Sequence, residues 1–224
     1  MRQVMSTKLI IFDFDGTLGD TRRDIVTTMQ MTISEMGLPC RSEQECASTI
    51  GLPLAGCFEV LFPDLQQPDQ IQLCAETYRR LFDENLRAIK PQLFPRVTET
   101  LKALKMQGFV LTIASSRSHA SLSGLTKDLG ISGCISLLIG ADDVVNAKPN
   151  PEPVLKTLSA MQFSKDEILV VGDMAVDILM GANAGTKTCG VTWGNGTRAE
   201  LEEVGANYII GDMSELIKIV SPVF

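Results

Sequence analysis

Residues 9–18 read Leu-Ile-Ile-Phe-Asp13-Phe-Asp15-Gly16-Thr17-Leu18, and they hold the densest chemistry in the chain. A short apolar run rich in Ile and Phe is the pattern of a buried strand. The strand period of two puts Asp13 and Asp15 on the same side, and Gly16 marks where the strand breaks. Two carboxylates therefore stand at the carboxyl end of a buried strand, the rim on which open α/β sheets place their ligands. Like charges set side by side in such a place are costly unless a cation or a shared proton offsets them.

Three further segments carry groups that suit the same chemistry: Ser115-Ser116, Lys148 ahead of Asn150-Pro151, and Gly172-Asp173 followed by Asp177. Singly each has an ordinary structural explanation. Serines after a strand cap helices, Asp173 and Asp177 favour a helix N-terminus electrostatically, and a lone lysine belongs on the surface. Together they offer three or four carboxylates, hydroxyls, helix N-terminal N–H groups and one lysine. That inventory builds a site for a hard cation and a phosphate.

The elements that must position these groups follow from periodicity. After Asp20-Thr21, Ile25, Met29, Ile33 and Met36 recur at helical spacing, with Thr21-x-x-Asp24 as a capping box and Gly37 as the stop. A short helix runs through Phe58 and Leu61. A longer one occupies 68–87, with Ile71, Cys74, Tyr78, Leu81 and Asn85–Leu86 along one face. Residues 20–88 read as an all-helical insert without a strand. From Pro91 the texture changes to alternation: a helix through Val97, Leu101 and Leu104, a strand over 109–114, a helix to Gly130, and a strand at 137–139. A helix opened by Asn150-Pro151 runs to Ala160, and a strand over 168–171 leads into a helix to about Ala184. Strands at 188–192 and 208–210 complete the series. Alternating strand and helix imply a doubly wound, mostly parallel, Rossmann-like α/β sheet whose strand ends share one rim. The expected division is an α/β core of residues 1–19 and 89–224 with the helical insert at 20–88.

Composition narrows the partners. The chain has 224 residues, 45% of them hydrophobic, enough for a sizeable core. A net charge of −7 and a pI of about 4.8 argue against nucleic acid or an anionic membrane surface as partner, but not against a phosphorylated metabolite. Arg2 and Lys8 are followed by no h-region, so no export signal is expected. Six cysteines without a C-x-x-C pair and a single histidine, His119, disfavour zinc and fit free thiols in a cytoplasmic protein. His119 reads as an exposed structural residue, Met29, Met31 and Met36 as packing, and Gly194-Asn195-Gly196 as a plain turn.

Asp13-Phe-Asp-Gly-Thr-Leu18, Ser115, Lys148-Pro-Asn-Pro-Glu-Pro153 and Gly172-Asp-Met-Ala-Val-Asp177, in this order, resemble the haloacid dehalogenase superfamily of aspartyl phosphotransferases. The insert resembles its first-type helical cap. Ile50-Gly-Leu-Pro-Leu54 and Gly190-Val-Thr-Trp-Gly194 resemble the phosphoglycolate phosphatase-like branch. The resemblance implies a magnesium-dependent phosphatase, a monomer or homodimer acting on a small phosphomonoester. In it Asp13 is the nucleophile and Asp15 the general acid and base. Asp13, the backbone carbonyl of Asp15, and Asp173 hold Mg2+ with support from Asp177, while Ser115, Ser116 and Lys148 bind the phosphoryl group. An acid at position 15 favours phosphate ester chemistry over dehalogenation.

Departures from the family pattern are Ser116 for asparagine, Arg117 for lysine, Met174 for threonine or serine, and Arg96 for glycine. The implied alternatives are a β-phosphoglucomutase-type phosphomutase and an inorganic pyrophosphatase. A different class is a non-catalytic phospho-accepting signalling module, which leaves Asp15 and the cap without a task. Arg22, Arg23, Arg41, Arg79, Arg80 and Arg87 are the cap cations that could meet a second anionic group of the substrate.

Overall fold

Strand β1 (Leu9–Phe12) lies at the centre of a sheet and is fully buried on both faces, which is why its sequence is a continuous apolar run rather than an alternating one. The computed structural model describes residues 7–65, 67–86 and 91–220. The boundary expected between residues 88 and 89, Arg87, and Arg2 with the rest of 1–6 lie outside the described residues. The described chain forms two compact units that divide at Gly19/Asp20 and Gln92/Leu93. At these divisions β2 (Gly19–Asp20) and β3 (Gln92–Leu93) pair as a short two-stranded sheet. Strands of two residues carry no periodicity, so the sequence could not announce them.

The α/β unit continues with α5 (Val97–Met106), β4 (Val110–Ala114), α6 (His119–Asp128), β5 (Leu137–Ile139), α7 (Glu152–Met161), β6 (Ile168–Gly172), α8 (Ala175–Asn183) and β7 (Lys187–Val191). It ends with α9 (Arg198–Glu203), β8 (Tyr208–Ile210) and α10 (Glu215–Val220). The sheet order is β5-β4-β1-β6-β7-β8, and neighbouring strands run parallel. β1 lies between β4 and β6 in the registers Leu9↔Val110 and Leu9↔Ile168. The chain leaves β1 toward β4 and β5, then crosses back to β6. Right-handed crossovers therefore place α5 and α6 on one face and α7 and α8 on the other. The strand order reverses beside β1, and β1, β4 and β6 end together at that switch point. Leu9, Ile11, Ala114, Val154, Ile168, Val170 and Met180 form one core beneath it.

Helices α9 and α10 were not anticipated; both are six residues long, too short for a clear helical period. Arg96 holds a left-handed φ of 64° just before α5, a backbone region that glycine adopts most easily. Helix α7 begins one residue later than expected: Pro151 rather than Asn150 is the boundary residue, and the Asn150 Oδ1 accepts from Glu152 N at 2.9 Å.

The second unit contains α1 (Arg22–Glu35), α2 (Glu43–Ala47), α3 (Leu54–Leu61) and α4 (Pro68–Leu86). Met29, Ile33, Phe58, Cys74, Leu81 and Phe82 fill its interior. Thr21 does not cap α1: its own backbone is helical, at ψ 0°, and its side chain makes no capping bond, since capping needs an extended residue there. Two of the arginines are committed within the unit. Arg41 donates Nε and Nη2 to Leu61 O at 3.0 and 2.8 Å and lies over the Phe62 ring, while Arg80 pairs with Glu35 and Glu84. Arg22, Arg23 and Arg79 are exposed. Burial pushes the Cys57 thiol up to about 11, which leaves it inert rather than redox-active. Among the described residues no helix is long and apolar enough to cross a membrane.

Candidate active site

Asp13, Ser115 and Asp173 are delivered by strand ends, Asp177 by the first turn of α8 and Lys148 by the loop before α7. Asp13 directly follows β1, and its N–H extends the pairing by donating to Val171 O at 2.8 Å. Gly16 then turns the chain with a φ of +88°, and Gly16 N–H donates to Gly19 O at 2.9 Å to close a tight loop. Glycine is required at this point: a Cβ would stand 2.2 Å from Asp173 Oδ2. β4 delivers Ser115, buried, whose Oγ accepts from Arg117 N at 3.2 Å; Ser116 beside it is half-buried. β6 delivers Asp173, and Asp177 stands in the first turn of α8, where its Oδ2 accepts from Met174 N at 3.1 Å.

Lys148 joins these ends. Its buried ammonium donates to Asp13 Oδ1 at 2.6 Å and to Asp177 Oδ1 at 2.7 Å. Carboxylate oxygens of Asp13, Asp173 and Asp177 lie within 4.8 Å of one another. The Asp15 carboxylate faces elsewhere: both its oxygens accept from Arg117 Nε, at 2.9 and 2.7 Å. The Arg117 guanidinium also lies 5.9 Å from the centre of the Phe14 ring. Asp13, Lys148, Asp173 and Asp177 are thus brought together, with Asp15 held to one side by Arg117.

The charge balance of this cluster is negative. Burial, then the charges of Asp177, Asp173 and Asp15, push the Asp13 carboxyl well above the usual range, against the pull of Lys148. Burial and the neighbouring Asp177 push Asp173 up to about 6, despite donors from Asn195 and Thr17. Lys148 is held above its ordinary value: burial opposes its charge, but Asp13 and Asp177 outweigh burial. Three hard oxygen donors, buried and under-compensated, suit a divalent cation such as Mg2+ and would be poor ligands for a soft metal.

The partners of Asp173 were not legible in sequence. Thr17 Oγ1 donates to Asp173 Oδ1 at 2.9 Å, and Asn195 donates to Asp173 Oδ2 from its backbone N at 2.7 Å and its Nδ2 at 3.2 Å. The Gly194-Asn195-Gly196 turn therefore does more than reverse the chain. The available signal was positional: the turn follows β7, which pairs with β6, so it opens on the same rim as Asp173. His119 is as expected, half-exposed at the start of α6 and bonded to Asp143 at 2.7 Å.

Comparison with known proteins agrees with this arrangement. The family model of haloacid dehalogenase-like hydrolases matches residues 10–191. A phosphoglycolate phosphatase of Aquifex aeolicus is 30% identical over 213 residues, covering 95% of this chain and 96% of that protein. The pyrophosphatase PpaX of Anoxybacillus flavithermus is 31% identical over 216 residues, 96% of this chain and 98% of its own. A crystal structure of a haloacid dehalogenase-like hydrolase from Bacteroides fragilis superposes with a TM-score of 0.88 at 29% identity, covering 94% of this chain and all of the other. With the motif order, the parallel sheet and the strand-end cluster in agreement, the chain belongs to the haloacid dehalogenase-like hydrolases.

Proposed function

We propose that this enzyme is a magnesium-dependent phosphatase that hydrolyses a small phosphomonoester through an aspartyl-phosphate on Asp13. The observation that carries the reading is Lys148 Nζ held between Asp13 and Asp177, with Asp173 completing the cluster, at the sheet's switch point. A phosphoryl group placed there meets a buried cation, the Ser115 and Ser116 hydroxyls and the backbone N–H groups after β4. Charge stabilisation and positioning carry most of phosphoryl transfer.

Asp13 attacks phosphorus with one carboxylate oxygen, and the bond to the leaving alkoxide breaks. Asp15 supplies the proton that the alkoxide takes. The resulting Asp15 carboxylate then takes a proton from water, whose oxygen attacks the same phosphorus and frees Asp13 together with inorganic phosphate. Lys148 favours the ionised form of Asp13 and orients its carboxylate. Asp13, the Asp15 backbone carbonyl and Asp173 would hold Mg2+, with Asp177 in support; when bound, the ion supplies neutralisation of phosphoryl charge. Arg117 keeps the Asp15 carboxylate beside the site between proton transfers.

For substrate, the names of the relatives divide between a carboxylated phosphomonoester and pyrophosphate, two small anions that each carry a second charged group. Among the described residues, exposed Arg23 and Arg79 are the candidate cap cations for that group. The test is phosphate release from 2-phosphoglycolate, pyrophosphate, sugar phosphates and nucleotides, with Mg2+ or with chelator, beside Asp13→Asn. Release that needs both Asp13 and magnesium supports the mechanism, and the best substrate assigns the branch. Undiminished release by Asp13→Asn would overturn the nucleophile. Isomerisation of a hexose phosphate in place of hydrolysis would make the enzyme a phosphomutase.

A further inference from the structure

We propose that the loop Trp193-Gly194-Asn195-Gly196 is a positioning clamp for Asp173, and that it sets the affinity of the site for its divalent cation. The inference rests on the reading of Asp173 as a metal ligand given above. Contacts converge on that carboxylate from both sides. Oδ2 takes two donors from Asn195, at 2.7 and 3.2 Å, and Oδ1 takes the Thr17 hydroxyl at 2.9 Å. Trp193 closes the circuit by donating Nε1–H to Thr17 O at 3.1 Å, and its ring lies 6.4 Å from that of Phe94. The loop and the turn after β1 thus brace each other with Asp173 between them.

The glycines show how closely the loop is moulded to its target. A Cβ on Gly194 would stand 2.3 Å from Asp173 Oδ2 and 2.4 Å from Gly16 O, and one on Gly196 would stand 2.2 Å from Asp173 O. Neither position has a left-handed backbone; it is close approach that requires glycine. An ionised carboxylate has about four acceptor positions. Asn195 uses two of them on Oδ2 and the Thr17 hydroxyl one on Oδ1, which leaves capacity for a metal. Groups that orient a ligand in this way commonly change metal affinity by about 10–100-fold when removed. Asn195, Trp193 and the two glycines are positioning residues: their contacts act on Asp173 and on Thr17, not on a reacting atom.

The deciding experiment is calorimetric titration of the full chain with MgCl2 alone, for wild type, Asn195→Ala and Gly194→Ala, with thermal melts in chelator to verify folding. Emission of Trp193, the single tryptophan of the chain, serves as a second readout of occupancy. Asn195→Ala keeps the backbone donor and removes the Nδ2 donor to Asp173, so its magnesium affinity falls by several-fold. Gly194→Ala displaces the loop from Oδ2, so its affinity falls by about tenfold or more. In both alanine variants, activity lost at low magnesium returns as magnesium is raised. Unchanged affinity in two folded variants would overturn the clamp while leaving the metal reading intact. A wild-type chain that takes up no magnesium would overturn both.

Discussion

Replacing Asp173 by asparagine should stabilise the metal-free protein at neutral pH while destroying its response to magnesium. Asp173 is fully buried, and its carboxyl is pushed up to about 6 from 3.8, chiefly by burial and secondly by Asp177. Two pH units correspond to about 3 kcal/mol, at 1.36 kcal/mol each. Because the folded-state value is raised, the favourable contribution is complete below about pH 4 and is lost as pH rises through about 6. The native chain without metal therefore carries this cost at about pH 7.5. Asparagine cannot ionise and escapes it. Its Oδ1 can still accept from Asn195, and the Thr17 hydroxyl can turn to accept from its Nδ2. Neutral hydrogen bonds replace charge-assisted ones, which returns roughly 1–2 kcal/mol of the gain. The net expectation is about 1–2 kcal/mol, or roughly 2–8 °C in Tm for a chain of this size. Melts in chelator at about pH 7.5 and pH 4.5 check it. The gain should be present at the higher pH and gone at the lower, and magnesium should raise Tm only in wild type. A variant no more stable than wild type at about pH 7.5, or equally stabilised at both values, would refute the reasoning.

Gly16→Ala combines a left-handed φ of +88° with a Cβ 2.2 Å from Asp173 Oδ2 and should cost about 2–4 kcal/mol in urea denaturation. Lys148→Met removes the cation between Asp13 and Asp177 and leaves two buried carboxylates facing each other. A loss of about 3–5 kcal/mol at neutral pH, smaller in acid where Asp13 protonates, should appear in denaturant titrations, together with loss of phosphate release. Arg117→Ala frees Asp15 from both Nε contacts. Steady-state kinetics should show kcat falling by about tenfold with KM little changed, and Arg117→Lys should recover part of it. Phe58→Ala empties the interior of the helical unit and should cost about 3–5 kcal/mol, seen as increased hydrogen exchange within α1, α3 and α4.

The sequence by itself determined the elements whose signals are local. β1 and β6 are legible because strands buried on both faces must be apolar without interruption, and α1, α4, α5 and α7 because one face of each follows the helical period. Asp13, Ser115, Lys148, Asp173 and Asp177 could be singled out because polar groups at the ends of such runs lie on the rim of a parallel sheet. Contacts across that rim were not legible. Thr17 and Asp173 are 156 residues apart, Asp15 and Arg117 102, and no spacing rule reaches so far. Asn195 and Asp173 are only 22 apart, yet a Gly-Asn-Gly turn has the same local signature whether it faces solvent or a carboxylate. The tertiary structure decided these because sheet order places β7 beside β6 and β6 beside β1, and so brings the loops after β1 and β7 onto the one buried acid that follows β6. Thr21 shows the converse: a capping sequence is present, but the chain arrives from β2 with helical rather than extended backbone, and the local rule yields.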